Sequence, residues 1–276
     1  MDEREGKTSP EDTFYVGYLA APASTIRLTR ILAVASLVAL ILLGAALATA
    51  RRDPGSAVWD TAMRRTFRGS VQSSPYPMMH LTEASGEVPS GTTLLIVEMG
   101  KHGGQRAAPL DGHRATLTGY LLVRDERRMI ELDEGPDALQ DDGPDTSTHS
   151  ETSLGEVDLA GEIVDSKCYL GAMKPGDGRV HKECAIRCVS AGIPPMLVVR
   201  DPLGQSAQLV LCDQQGAPLG PRLLPLVGSP ARVRGEVLRR GDLFFLRTTL
   251  ENIRTVDDVA QRGAASDPAA LSSLSH

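Results

Sequence analysis

Gly228-Ser229-Pro230-Ala231-Arg232-Val233-Arg234-Gly235-Glu236-Val237-Leu238 decides how the rest of the chain is read. From Ala231 onward apolar and polar residues alternate, the period of a strand with one buried face. Arg240-Gly241-Asp242 supplies a turn, and Leu243 to Leu250 returns as a second strand. The same pattern stands earlier in the chain. Gly112-His113-Arg114-Ala115-Thr116-Leu117-Thr118-Gly119 leads through Val123 to the turn Asp125-Glu126, and Met129 to Leu132 closes the hairpin.

Working outward, the parallel continues. Thr92 to Met99 compares with Ser206 to Cys212, and Pro75-Tyr76-Pro77-Met78-Met79 with Ile193-Pro194-Pro195-Met196-Leu197. Each half opens on a strand with a central glycine, Gly69 within Thr66 to Val71 and Gly161 within Val157 to Val164. A lone glycine inside a strand marks a bend or bulge. The order predicts a mainly β protein with an internal repeat: two small OB-like β-barrel domains of five short strands each, over 66–133 and 157–255. The 27 glycines and 18 prolines suit short strands and many turns.

Three other segments complete the expected organisation. Residues 53–65, with Trp59, read as a connector. Residues 134–156 are acidic and rich in Gly, Pro, Ser and Thr, which predicts a disordered linker carrying His149. The tail 256–276, rich in Ala, Ser and Asp, is expected to be disordered.

Ile31 to Ala50 contains no charged side chain. At about 1.5 Å per residue a helix of that length spans roughly 30 Å, the thickness of a hydrocarbon core. Arg27 and Arg30 precede it, and Arg51 and Arg52 follow. A single transmembrane anchor is expected over 26–52, meeting the lipid bilayer through 31–50. Ala48-Thr49-Ala50 also fits a signal-peptide cleavage site, although the lead before the apolar run is long for one. A short tail followed by one apolar helix and a large domain suggests a cytoplasmic tail, 1–25, and soluble domains on the outer, periplasmic side of the cell membrane. Arg64, Arg65 and Arg68 on the far side argue the other way.

The repeat is most informative where it fails. Gly69 and Pro75 are joined by a short connection, whereas a long insertion, 165–192, separates Gly161 from Ile193. Three of the four cysteines lie in it: Cys168, Cys184 and Cys188. Insertions on a rigid scaffold are where function tends to reside. His181, Cys184 and Cys188 stand at i, i+3 and i+7, one stripe of a helix that Gly192 and Pro194 would stop. Cys168 would arrive from the preceding strand end. Cys168, His181, Cys184 and Cys188 are therefore the candidate ligands of one metal ion, and thiolate with imidazole suits zinc, copper or an iron–sulfur centre. A closed Cys₃His set would be structural zinc, but paired Cys-x2-Cys knuckles are missing.

The same residues allow two other chemistries. Cys184 could pair with Cys188, and Cys168 with Cys212, as disulfides. Alternatively Cys184 or Cys188 could be a nucleophile, with His181 as base, Asp165 as orienter, and Lys167, Lys174, Lys182 and Arg187 lowering the thiol pKa. Cys212, on a predicted strand, reads as a small buried hydrophobe. His80, His102 and His113 read as surface or turn histidines. Lys101-His102-Gly103-Gly104 is a loop too short to cradle a phosphate.

A net charge of −6 and 4% aromatics leave neither a basic groove nor a stacking platform, so no nucleic acid is expected. The sequence thus suggests a membrane-anchored accessory protein whose metal or redox centre serves an envelope electron-transfer or oxidoreductase complex, with protein partners there. The contrasting reading is a non-catalytic scaffold stapled by disulfides or zinc.

Overall fold

The computed structural model describes residues 21–50, 56–147, 150–201 and 205–255. The expected tail residues 1–20 and 256–276, and His149, lie outside the described residues.

Helix α1 runs Ala23–Thr49 and buries none of its side chains within the protein. It is long and apolar enough to cross a membrane, a property that a signal sequence near an N-terminus shares.

The described residues from 56 onward form a second compact unit. Its first sheet contains β1 (Val58–Gln72), β2 (Met78–Leu81), β3 (Thr93–Glu98), β4 (His102–Gly103), β5 (His113–Arg124), β6 (Arg127–Leu132) and β7 (Leu139–Pro144). The pairings run β1-β2-β3-β6-β5 and return to β1, closing a five-stranded barrel. All five contacts are antiparallel except β3 with β6. Phe67, Met79, Leu94, Ile96, Leu117 and Ile130 fill its interior.

The second sheet contains β8 (Glu151–Asp165), β9 (Pro195–Arg200), β10 (Ser206–Cys212), β11 (Pro230–Arg240), β12 (Leu243–Arg247) and β13 (Ile253–Thr255). Its pairings run β8-β9-β10-β12-β11 and back to β8, again with one parallel contact, β10 with β12. Ile163, Leu197, Leu209, Val233 and Leu246 form its core.

The registers correspond. Gly69 lies opposite Ala115, and Gly161 opposite Ala231. Four strand residues earlier, Arg65 faces Gly119 and Val157 faces Gly235. A Cβ on Gly69 would fall 2.1 Å from the His80 carbonyl oxygen, and one on Gly161 2.4 Å from that of Val198. No side chain fits at either crossing.

Two expectations need correction. The segment 134–156 is not a disordered linker. Leu139–Pro144 pairs with β5, and Glu151 to Glu156 pairs with β11. These edge strands expose their polar side chains, so hydrogen bonds and ion pairs secure them where apolar burial does not. Thr116 donates to Asp142, Ser153 to Glu236, and Arg240 and Arg247 converge on Glu151. Likewise most of the connector 53–65 is strand: Val58 to Asp60 and Arg65 pair with β5 across an irregularity in register.

The two sheets also pack directly on each other. A third apolar cluster joins Tyr76, from the β1–β2 connection, and Met78, Leu95 and Leu122 of the first sheet to Val164, Val198, Val210 and Phe245 of the second. The functional segment sits against this shared core.

Candidate thiol centre

Strand β8 ends at Asp165, and the chain turns at once into a single wide helical turn, Cys168–Ala172. Asp165 fixes that turn. Its Oδ1 accepts the Cys168 backbone N–H at 2.8 Å, as at a helix start. Its Oδ2 lies 2.9 Å from His181 Nε2. Both residues of this pair are almost wholly buried.

His181 directly precedes helix α2, Lys182–Ser190, which carries Cys184 and Cys188. Ala185 and Cys188 face inward, and Cys184 is half-buried. Gly192 adopts positive φ, and its N–H bonds the Val189 carbonyl as the helix ends.

Three sulfurs converge. Cys168, Cys184 and Cys188 lie with their Sγ atoms within 4.8 Å of one another, close enough to bind one metal ion. Cys168 and Cys188 are 4.0 Å apart, and all four cysteines are free. His181 belongs to an adjoining group with Asp165 and Cys168, so Cys168 is common to both. Cys212 stands apart, buried in the shared core. Burial pushes its thiol up to about 11.

Lys101 was not foreseen at this site. Its Nζ lies 2.8 Å from Cys184 Sγ and 3.8 Å from Cys188 Sγ. It comes from the other sheet, at the turn between β3 and β4. Two contacts hold that turn in place. The Gly103 N–H donates to the Ala191 carbonyl at the end of α2, at 3.0 Å. Lys167 donates to the Glu98 and Gly100 carbonyls at 2.8 and 2.6 Å. The only sequence signal was Gly103-Gly104, which permits close approach: a Cβ on Gly103 would sit 2.3 Å from the Gly192 oxygen.

The electrostatics follow from this geometry. The contact with Cys168 lowers the Cys188 pKa, and Lys101 adds to the effect. The same contact, together with burial, pushes the Cys168 pKa up. The Cys184 contact raises the Lys101 pKa. Of the cations suspected from sequence, Lys167 instead pairs with buried Glu131, and Lys182 bonds the Pro225 carbonyl and Ser229 hydroxyl. Glu131 also accepts the Trp59 indole N–H at 2.8 Å.

No family model, curated protein or solved structure matches the chain.

Proposed function

We propose that this chain is a membrane-anchored accessory protein whose thiol cluster binds a soft metal ion and serves a membrane complex. The observation that carries the reading is the convergence of Cys168, Cys184 and Cys188. An ion with metal–sulfur bonds of about 2.3 Å sets its sulfurs roughly 3.8–4.0 Å apart. Cys168 and Cys188 stand 4.0 Å apart, whereas a disulfide bond is about 2.05 Å long. The pair is thus spaced as two ligands of one ion.

His181 enters through Asp165. A carboxylate bound to one imidazole nitrogen is the arrangement that orients histidines near metals. Here the same carboxylate also orients Cys168, tying the whole ligand turn to the end of β8.

The reading extends to the scaffold. Matching circuits, matching glycine registers and one parallel contact per sheet support two copies of an OB-like barrel. Lipid contact through 31–50 anchors them, with the sheets on the outer face and protein partners in the same membrane. Nucleic acid has no place in this reading.

The test is elemental analysis of the full-length chain, extracted in detergent under reducing, anaerobic conditions. About one ion per chain, lost in Cys184→Ser, supports the reading. No metal, together with mapped disulfides among these cysteines, would replace it with the stapled scaffold.

A further inference from the structure

We infer that the ion is monovalent copper, held by three sulfurs without a nitrogen ligand. This rests on the metal reading above and narrows it to one chemical class.

Three features point this way. First, the donor set is soft and numbers three. Among the described residues, the group around Cys168, Cys184 and Cys188 contains no imidazole or carboxylate. His181 belongs to the adjoining group with Asp165, which shares only Cys168 with the three sulfurs. Thiolates select copper(I), zinc and iron–sulfur centres, and structural zinc is almost always four-coordinate.

Second, the Cys184–Cys188 edge is covered by an ammonium group. Lys101 Nζ lies 2.8 and 3.8 Å from those sulfurs. An ammonium has donors and no lone pair, so it can hydrogen-bond thiolates but cannot serve as a fourth ligand. Its repulsion of a divalent ion is twice that of a monovalent one at the same distance.

Third, apart from the Asp165–His181 pair beside Cys168, the inner side is walled by apolar side chains. Cys168 and Cys188 are buried within the cluster that contains Tyr169, Leu170 and Ile193. Such walls exclude the water that would complete a tetrahedron. An iron–sulfur cluster would need a fourth thiolate, and Cys212 lies outside the group.

The experiment titrates the reduced, detergent-extracted full chain with copper(I), supplied as its acetonitrile complex, against bicinchoninate. Zinc(II) is titrated in parallel against a pyridylazo chelator, and X-ray absorption reads the ligands. The expected result is one copper(I) per chain with three sulfur neighbours and no nitrogen, while zinc(II) is surrendered to its chelator. His181→Gln should change copper(I) retention less than tenfold, and Cys188→Ser should lower it more than a hundredfold. Cys212→Ser serves as a folded control and should match wild type. Retained zinc(II) with nitrogen in its shell, or a loss above tenfold in His181→Gln, overturns the copper inference and leaves the metal reading standing. Failure to hold either ion overturns both.

Discussion

Lys101 Nζ lies 2.8 Å from Cys184 Sγ, although 83 residues separate them and they belong to different sheets. The thiol centre is therefore completed across the boundary between the sheets. Hydrogen bonds to charged groups contribute about 1.5–3 kcal/mol. Lys101→Glu would place a carboxylate against the sulfurs, and we expect metal retention against a chelator to fall at least tenfold. Lys101 is exposed, so the thermal midpoint should barely move, and Lys101→Arg should retain most of the affinity. Unchanged retention in Lys101→Glu would remove the first sheet from the site.

Lys167 and Glu131 form a further link between the sheets, and both are buried. Removing one member of a buried ion pair typically costs about 3–5 kcal/mol, because the other is left uncompensated. Lys167→Met should lower stability by that order in urea denaturation. Lys167→Met combined with Glu131→Gln should recover part of the loss. A single variant within 1 kcal/mol of wild type would show that the pair is not shielded from solvent to the extent described.

Asp165 joins Cys168 to His181. Asp165→Asn keeps an acceptor for the Cys168 N–H but loses the charge and one acceptor oxygen. Disturbing an orienting group beside a metal typically costs 10–100-fold in affinity. We expect a loss in that range by chelator competition, with the far-ultraviolet circular dichroism retained. No loss would reduce Asp165 to a helix-start residue.

Much of this was legible in the sequence. Short apolar runs, and alternation in β11, located β3, β5, β6 and β9 to β12 to within a few residues, because their apolar side chains fill cores. The edge strands β7 and the start of β8 were not legible. Their residues, such as Asp141, Asp142 and Glu151, face solvent, and pairing with β5 or β11 is a tertiary fact that no local period records. The helix places Cys184 and Cys188 in one group with Cys168, whereas His181, expected on the same stripe, precedes the helix and groups with Asp165 and Cys168. The contribution of Lys101 was hidden, since nothing in Lys101-His102-Gly103-Gly104 announces which distant helix the turn will meet. The separation into independent domains failed for a related reason. Leu95, Leu122, Val198 and Phe245 read as ordinary strand residues, yet they pack between the sheets.

Gly103 tests that docking. A Cβ there would fall 2.3 Å from the Gly192 oxygen, a backbone atom that cannot swing aside. Gly103→Ala should push the β3–β4 turn away from α2 and uncover the thiols. Native-state alkylation of Cys184 should quicken several-fold. Cys212, whose thiol is pushed up to about 11 by burial, should stay unreactive at pH 8 in both proteins. Equal Cys184 rates would place no weight on the turn.

Serine substitution of the four cysteines, one at a time, followed by metal content of the detergent-extracted chain, tests the central claim most directly. Cys168→Ser, Cys184→Ser and Cys188→Ser should each lose the ion, and Cys212→Ser should keep it at wild-type stoichiometry. An ion retained through all of the first three substitutions, or lost only with Cys212, would contradict a centre built on the converging sulfurs.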